Sequence, residues 1–257
     1  MNELHVTFYQ QEIVWGDAEA NRNQVAAALA ASPRCDLFVV PETFTTGFGD
    51  HMAALAEEQE GPTLQWARQM AAQYDILFVG TWIVREKGKC YNRLHWVYPD
   101  GSFGYYDKAH TFRVSGEYDI ISRGIRHEVF EYKGWKIKPA VCYDLRFPKW
   151  LRNEVESGKL SYDLLLVCAN WPGSRHEAWS TLIKARAIEN LCYVLGCNRC
   201  GEDGVGGKYT GNSAIIDYKG FPIAEAQAEA AQTLSFTLDK DKLDTFRQHW
   251  PLYLDFD

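Results

Sequence analysis

The 257-residue sequence contains no apolar run of 18 residues, no N-terminal stretch that joins a basic segment to a continuous hydrophobic one, and no block of like charges. The first absence argues against a transmembrane helix, and the second makes a secretory leader unexpected. The third, together with 27 basic against 34 acidic residues and a net charge of -7, argues against nucleic acid or an anionic membrane as a partner. No internal repeat, low-complexity linker or break in composition marks a boundary. Residues 1–257 are therefore expected to form one domain.

A complete metal set is also missing. Cys197-Asn198-Arg199-Cys200 has C-x-x-C spacing, but no second such pair accompanies it, and it ends an apolar stretch where a redox dithiol would open a helix. His176-Glu177 is not followed by a histidine at position 180, which is serine. The stretch Gly204-Val205-Gly206-Gly207-Lys208 lacks the ending of a phosphate loop and a following helix, so its glycines read as hairpin residues. Seven cysteines without a secretory leader are expected to be reduced thiols in a cytoplasmic protein. Most serve as small buried hydrophobes.

What is present is ordinary for a globular enzyme: 46% hydrophobic, 14% aromatic and 24% charged residues. A chain of this length buries about 73% of its extended area on folding without staples. Leu4, Val6 and Phe8 alternate as a strand, Ala18 to Ala31 reads as a helix stopped by Pro33, and Leu37 to Val40 is a buried strand. A helix opens at Pro62 and leads into a strand over Ile76 to Val84. Turn chemistry at Pro99-Asp100-Gly101 and Lys133-Gly134 marks hairpins. Between them, Lys108 to Arg126 reads as a loop without periodicity that carries chemistry-bearing residues. Trp135 to Val141 and Leu164 to Ala169 are strands, Pro148 starts a short helix, and Glu177 to Asn190 is helical. A strand over Tyr193 to Cys197, hairpins, and a short helix after Asp239 complete an α/β pattern.

Three reactive residues lie at strand ends: Glu42 in VVPE, Lys108 in YYDK and Cys142 in PAVCYD. Sites gather at such edges in α/β sheets. A carboxylate, an ammonium and a thiol there can act as base, oxyanion stabiliser and nucleophile in acyl transfer. Taken singly, Glu42 and Lys108 read equally as solvated charges and Cys142 as an inert buried thiol. Spacing alone does not join them.

Five ordered segments do. VVPETFTTGF (39–48), YDKAHTFRVSGE (106–117), PAVCYDLRFP (139–148), ANWPGSRHEAWSTLIKARAIEN (169–190) and YVLGCNRCGEDGVGGKYTGNS (193–213) resemble the signature regions of the nitrilase, or carbon-nitrogen hydrolase, superfamily. The resemblance implies a four-layer α-β-β-α sandwich and a Glu42/Lys108/Cys142 triad, with Glu117 as a second site glutamate. It further implies a thioester mechanism without metal or organic cofactor, the backbone N–H of Tyr143 as oxyanion donor, and a homodimer. CYDLRFP and ANWP most resemble the branch that hydrolyses the terminal amide of short 2-oxo dicarboxylate monoamides. Deaminated-glutathione amidases and N-carbamoyl amidohydrolases are the neighbouring alternatives.

A carboxylate at the far end of a small amide substrate needs a cation. Arg175 is the candidate for it, with Phe44, Phe48 and Trp171 as walls and Arg146 as a structural partner of Asp144. Two other classes stay open: a Cys142/His110 hydrolase with imidazole as the base, and a non-catalytic binding module, which would show no Cys142-dependent turnover.

Overall fold

Period-two burial explains the architecture. In the strand Leu37–Val39, Leu37 and Val39 pack into one apolar cluster with Leu4, Val6 and Phe8, while Phe38 and the following Val40 pack into a second with Val25, Leu29, Leu64 and Ala67. A strand that feeds two cores must be covered on both faces. The computed structural model, which describes residues 2–256, places this strand inside a sheet of order 232–239, 3–10, 37–39, 77–86, 89–97, 103–107. The strand Leu37–Val39 runs parallel to both of its neighbours, and antiparallel pairs flank that centre.

A second sheet runs in the order 222–225, 214–216, 193–198, 164–169, 135–141, 130–132. Its centre is parallel too, and Leu164–Ala169 is buried throughout, as an inner parallel strand requires. The large cluster joins both sheets through Leu77, Val79 and Leu94 of the first and Ile137, Val141 and Leu166 of the second. Helices Ala18–Ala31 and Pro62–Tyr74 cover the first sheet. Helices His176–Asn190 and Lys240–His249 contribute Trp179, Ile183, Ala187 and Leu243 to the side of the second. The result is the expected four-layer α-β-β-α sandwich.

Boundaries follow local chemistry. Asp17 caps the first helix through its carboxylate to the Ala20 N–H at 2.9 Å, and Asp239 caps the last through the Lys242 N–H at 3.0 Å. The segment 108–126 departs from the loop reading: it contains a 3-10 turn over Arg113–Ser115 and a short α-helix over Glu117–Ile120, hinged at Gly116 with φ +78°. One helical turn is too short to leave a periodic trace. Of the C-x-x-C cysteines, Cys197 is the penultimate residue of one strand and Cys200 begins another, and all seven cysteines are free and buried. The glycines at 204, 206 and 207 lie in the turn of a hairpin between Cys200–Glu202 and Lys208–Thr210.

Asp163 bolts the last helix to the second sheet. Its carboxylate accepts from Arg247 at 2.8 Å, from Lys240, and from the Lys136 N–H at 3.1 Å, while Arg247 also donates to the Leu191 and Tyr162 carbonyls. Burial alone would raise its pKa, but the two cations outweigh burial and hold it below the usual carboxylate range. The stabilisation is therefore complete above about pH 4 and is lost as pH falls through the native value. Asp163→Asn strands a buried Arg247 and is expected to cost about 3–5 kcal/mol in urea unfolding at neutral pH. The gap to wild type should close in acid; an equal gap at all pH values would exclude ion pairing as its source.

Candidate active site

Both sheets deliver their strand ends to one place. Glu42 follows the strand Leu37–Val39 and is fully buried. One carboxylate oxygen accepts from Lys108 Nζ at 2.8 Å and Asn92 Nδ2 at 2.8 Å, and the other from the Asn170 N–H at 2.8 Å. The Asn170 side chain returns two hydrogen bonds, to the Glu42 carbonyl and to Thr43 Oγ1. Asn170 directly follows the strand Leu164–Ala169 of the second sheet, so this exchange ties the two sheets together at the carboxylate.

Lys108 stands one residue past the strand Phe103–Asp107, 1% exposed. Its ammonium donates to Glu42 and reaches both Glu117 oxygens at 2.9 Å, with Phe48 beneath it at 5.2 Å. Glu117 opens the short helix and accepts from the Phe112 N–H at 2.6 Å. Burial disfavours the Lys108 charge, yet Glu117 and Glu42 outweigh it and the pKa moves up. Glu117 also moves up, by burial first and by repulsion from Glu42, against the pull of Lys108.

Cys142 opens the 3-10 helix Cys142–Arg146 directly after the strand Trp135–Val141, in a left-handed conformation of φ +45°. Such a conformation in a residue with a Cβ costs about 1–3 kcal/mol and persists only where its surroundings enforce it. Asp144 supplies the enforcement. Fully buried, it accepts from the Val141 N–H at 3.1 Å, the His110 N–H at 2.9 Å, His110 Nδ1 at 2.8 Å and the Tyr106 hydroxyl at 2.8 Å. The turn carrying Cys142 is thereby locked to the segment carrying Lys108. The thiol is pushed well up, by burial first and then by the Glu42 charge, with Lys108 opposing. A thiol held up in this way needs a base to become a nucleophile.

Cys142, Lys108 and Asn170 face a cavity of about 520 Å³, large enough for a small organic molecule. The match to the carbon-nitrogen hydrolase family model runs over residues 5–248. The chain belongs to the carbon-nitrogen hydrolase family. It is a hydrolase of carbon-nitrogen bonds within the nitrilase superfamily. It is 41% identical over 259 aligned residues to an omega-amidase (YafV) of Yersinia enterocolitica, covering 100% of this chain and 98% of that one. To a 2-oxoglutaramate amidase of Bacillus subtilis it is 34% identical, covering 77% and 76%. A CN-hydrolase superfamily protein of Xanthomonas campestris, solved with an arsenic adduct in its active site, superposes with a TM-score of 0.97 at 41% identity, covering 100% and 98%.

The hydrolase brings Glu42, Lys108, Glu117 and Cys142 together, and Phe48, Trp171, Tyr143 and Arg175 line its cavity. Phe44 does not. Its N–H pairs with the Thr81 carbonyl at 3.1 Å, which keeps it in the sheet layer, and its ring packs against Trp66, Phe78 and Trp82 in the helix-side core. Arg146 does not partner Asp144, whose oxygens are taken by the four donors above. Instead its guanidinium lies 4.9 Å over the Trp171 ring at the cavity. Arg175 lies 5.2 Å over Phe112, giving the cavity two arginines.

The Cys142/His110 pairing is not formed. His110 donates Nδ1 to Asp144, stacks on Phe147 at 3.7 Å, and lines a different cavity with His127 and Trp150. The sequence reading missed Asn92, which reaches Glu42 from the strand 89–97, two places along the sheet, and the cavity-lining Trp15, His51, Asp203 and Tyr209. It also missed Asn170 as a ligand of Glu42, although that residue lies in the ANWP segment. Among the described residues, no group of three or more histidine, cysteine or acidic side chains is arranged to hold a metal ion.

Proposed function

We propose that this hydrolase is an ω-amidase: it cleaves the terminal amide of a small 2-oxo dicarboxylate monoamide, such as 2-oxoglutaramate or 2-oxosuccinamate, to the acid and ammonia. The observation that carries the reading is a Cys142 thiol at a cavity that also holds buried Lys108 and two arginines, with Glu42 paired to Lys108 at 2.8 Å. The names borne by the Yersinia and Bacillus relatives support the substrate class.

In this reading Glu42 takes the Cys142 proton and the thiolate adds to the amide carbon. The oxyanion is held by the Lys108 ammonium and the Tyr143 N–H, which as the second residue of its helix has no intrahelical acceptor. Protonated Glu42 returns its proton to the nitrogen, the C–N bond breaks, and ammonia leaves behind a thioester. Glu42 then accepts a proton from water; hydroxide adds to the thioester and expels the Cys142 thiolate, which recovers the proton as the acid departs. Glu117 positions Lys108. Arg175 and Arg146 receive the far carboxylate, and Phe48 and Trp171 wall the chain between.

We further propose a cytoplasmic homodimer in which residues 1–257 form a single catalytic domain. Seven free, buried thiols and the exposed apolar residues Trp250, Leu252 and Leu254 support the compartment and the assembly respectively.

The test is ammonia release from a panel of 2-oxoglutaramate, 2-oxosuccinamate, deaminated glutathione, an N-carbamoyl amino acid and glutamine. Fast turnover of the two 2-oxo monoamides is expected. In Arg175→Ala and Arg146→Ala, loss of a charge-assisted contact should lower kcat/KM about 10- to 150-fold, mainly through KM. Preference for another panel member would replace the substrate, and an unchanged KM would reject that arginine as the carboxylate partner.

A further inference from the structure

Trp15 takes no part in the chemistry described above, yet two loops of the cavity wall converge on it. It stands in the turn between the strand Glu3–Gln10 and the helix Ala18–Ala31, half-buried, with its ring 4.1 Å from that of His51. A Cβ added to Gly47 would lie 3.0 Å from its Cε3, one on Gly49 2.7 Å from Cη2, and one on Gly204 2.5 Å from both Cδ1 and Nε1. Gly47 and Gly49 flank Phe48, the residue beneath Lys108. Gly204 belongs to the tip of the hairpin that carries Asp203 and Val205.

That tip is organised from within: one Asp203 oxygen accepts from the Val205 and Gly207 N–H groups at 3.0 and 2.7 Å, and the other from the Tyr209 hydroxyl at 3.0 Å. It is therefore braced as a unit, and the indole against Gly204 sets how closely it approaches the loop holding Phe48. Trp15, Gly49, Phe48, Asp203 and Val205 all line the cavity. We propose that Trp15 is a specificity-determining positioning residue that fixes the width of the acyl side of the cavity, admitting straight short-chain amides and rejecting branched ones. Its size acts through contact because packed groups transmit displacement. This rests on the proposed amidase activity.

The experiment compares kcat/KM for 2-oxoglutaramate and its 4-methyl derivative in wild type, Trp15→Ala, Trp15→Phe, Gly204→Ala and the double variant Trp15→Ala/Gly204→Ala. Wild type should prefer the straight chain, since one methyl at a tight wall is worth about 10-fold or more. Trp15→Ala should erase most of that preference, and Trp15→Phe should keep much of it. The nearest atoms to a Cβ at Gly204 all belong to Trp15, so Gly204→Ala should impair the single variant and add nothing in the Trp15→Ala background. No preference in wild type, equal losses on both substrates, or a Gly204→Ala effect that persists without the indole would overturn the assignment.

Alkylation of Cys142 by iodoacetamide and by the bulkier iodoacetanilide supplies a readout independent of turnover. Trp15→Ala should raise the anilide-to-acetamide rate ratio. A raised ratio in a protein that hydrolyses neither amide rejects the ω-amidase reading and keeps Trp15 as the width-setting residue. An unmoved ratio in an active amidase rejects Trp15.

Discussion

Cys142→Ser is expected to fold as wild type does and to lose at least about 10⁴-fold in kcat/KM, equivalent to about 5.5 kcal/mol of transition-state stabilisation. Serine is nearly the same size and accepts the same backbone, so the left-handed turn and its Asp144 lock should persist. The chemistry should not. A hydroxyl is far less acidic than a thiol, and a carboxylate base cannot draw a useful alkoxide from it. Ammonia release measures the loss, mass spectrometry of quenched reactions should show the acyl adduct in wild type alone, and thermal unfolding checks the fold. A serine variant with full activity would remove Cys142 as the nucleophile.

Glu42→Gln should move two observables in opposite directions. Turnover should fall about 10²- to 10⁴-fold, because the proposed general base is gone. The glutamine also turns a donor toward the Asn170 N–H or toward Lys108, each of which needs an acceptor. Burial is the larger cause of the raised thiol pKa and remains, but the carboxylate charge is the next and is removed. The pKa should therefore fall part of the way, and iodoacetamide should alkylate resting Cys142 faster at pH 8 than in wild type. Slower alkylation with lost turnover would mean that Glu42 already draws the proton at rest.

The fold was legible where a pattern repeats. Alternation in the strands, Pro62 at a helix start and Asp239 at another carry their own physical reasons, and the observed elements agree. The positions of Glu42, Lys108 and Cys142 were legible as strand ends, but only the ordered motifs joined them, because no local signal encodes which ends of two different sheets meet. Phe44 shows the limit. An aromatic two residues past a site carboxylate has two apolar destinations, the cavity and the core beneath the helices, and the sequence does not distinguish them.

Arg146 shows another limit. Opposite charges two residues apart suggest a pair, yet in a 3-10 turn residues three apart share a face and those two apart do not. Trp15 gives no sign of its importance at all. Its partners lie some 30 and 190 positions away, and they are glycines, whose missing side chains make the contact.

The Glu42 carboxylate and the Lys108 ammonium come from one sheet, the Cys142 thiol and the Asn170 amide from the other. On the proposed mechanism neither half is a weaker enzyme; each is none at all. Catalysis by those four groups would then count the molecules whose two sheets are docked. Under gradual denaturation, residual activity should track the fully assembled fraction even where helices and strands survive, so turnover can serve as the most stringent gauge of whether a variant has finished folding.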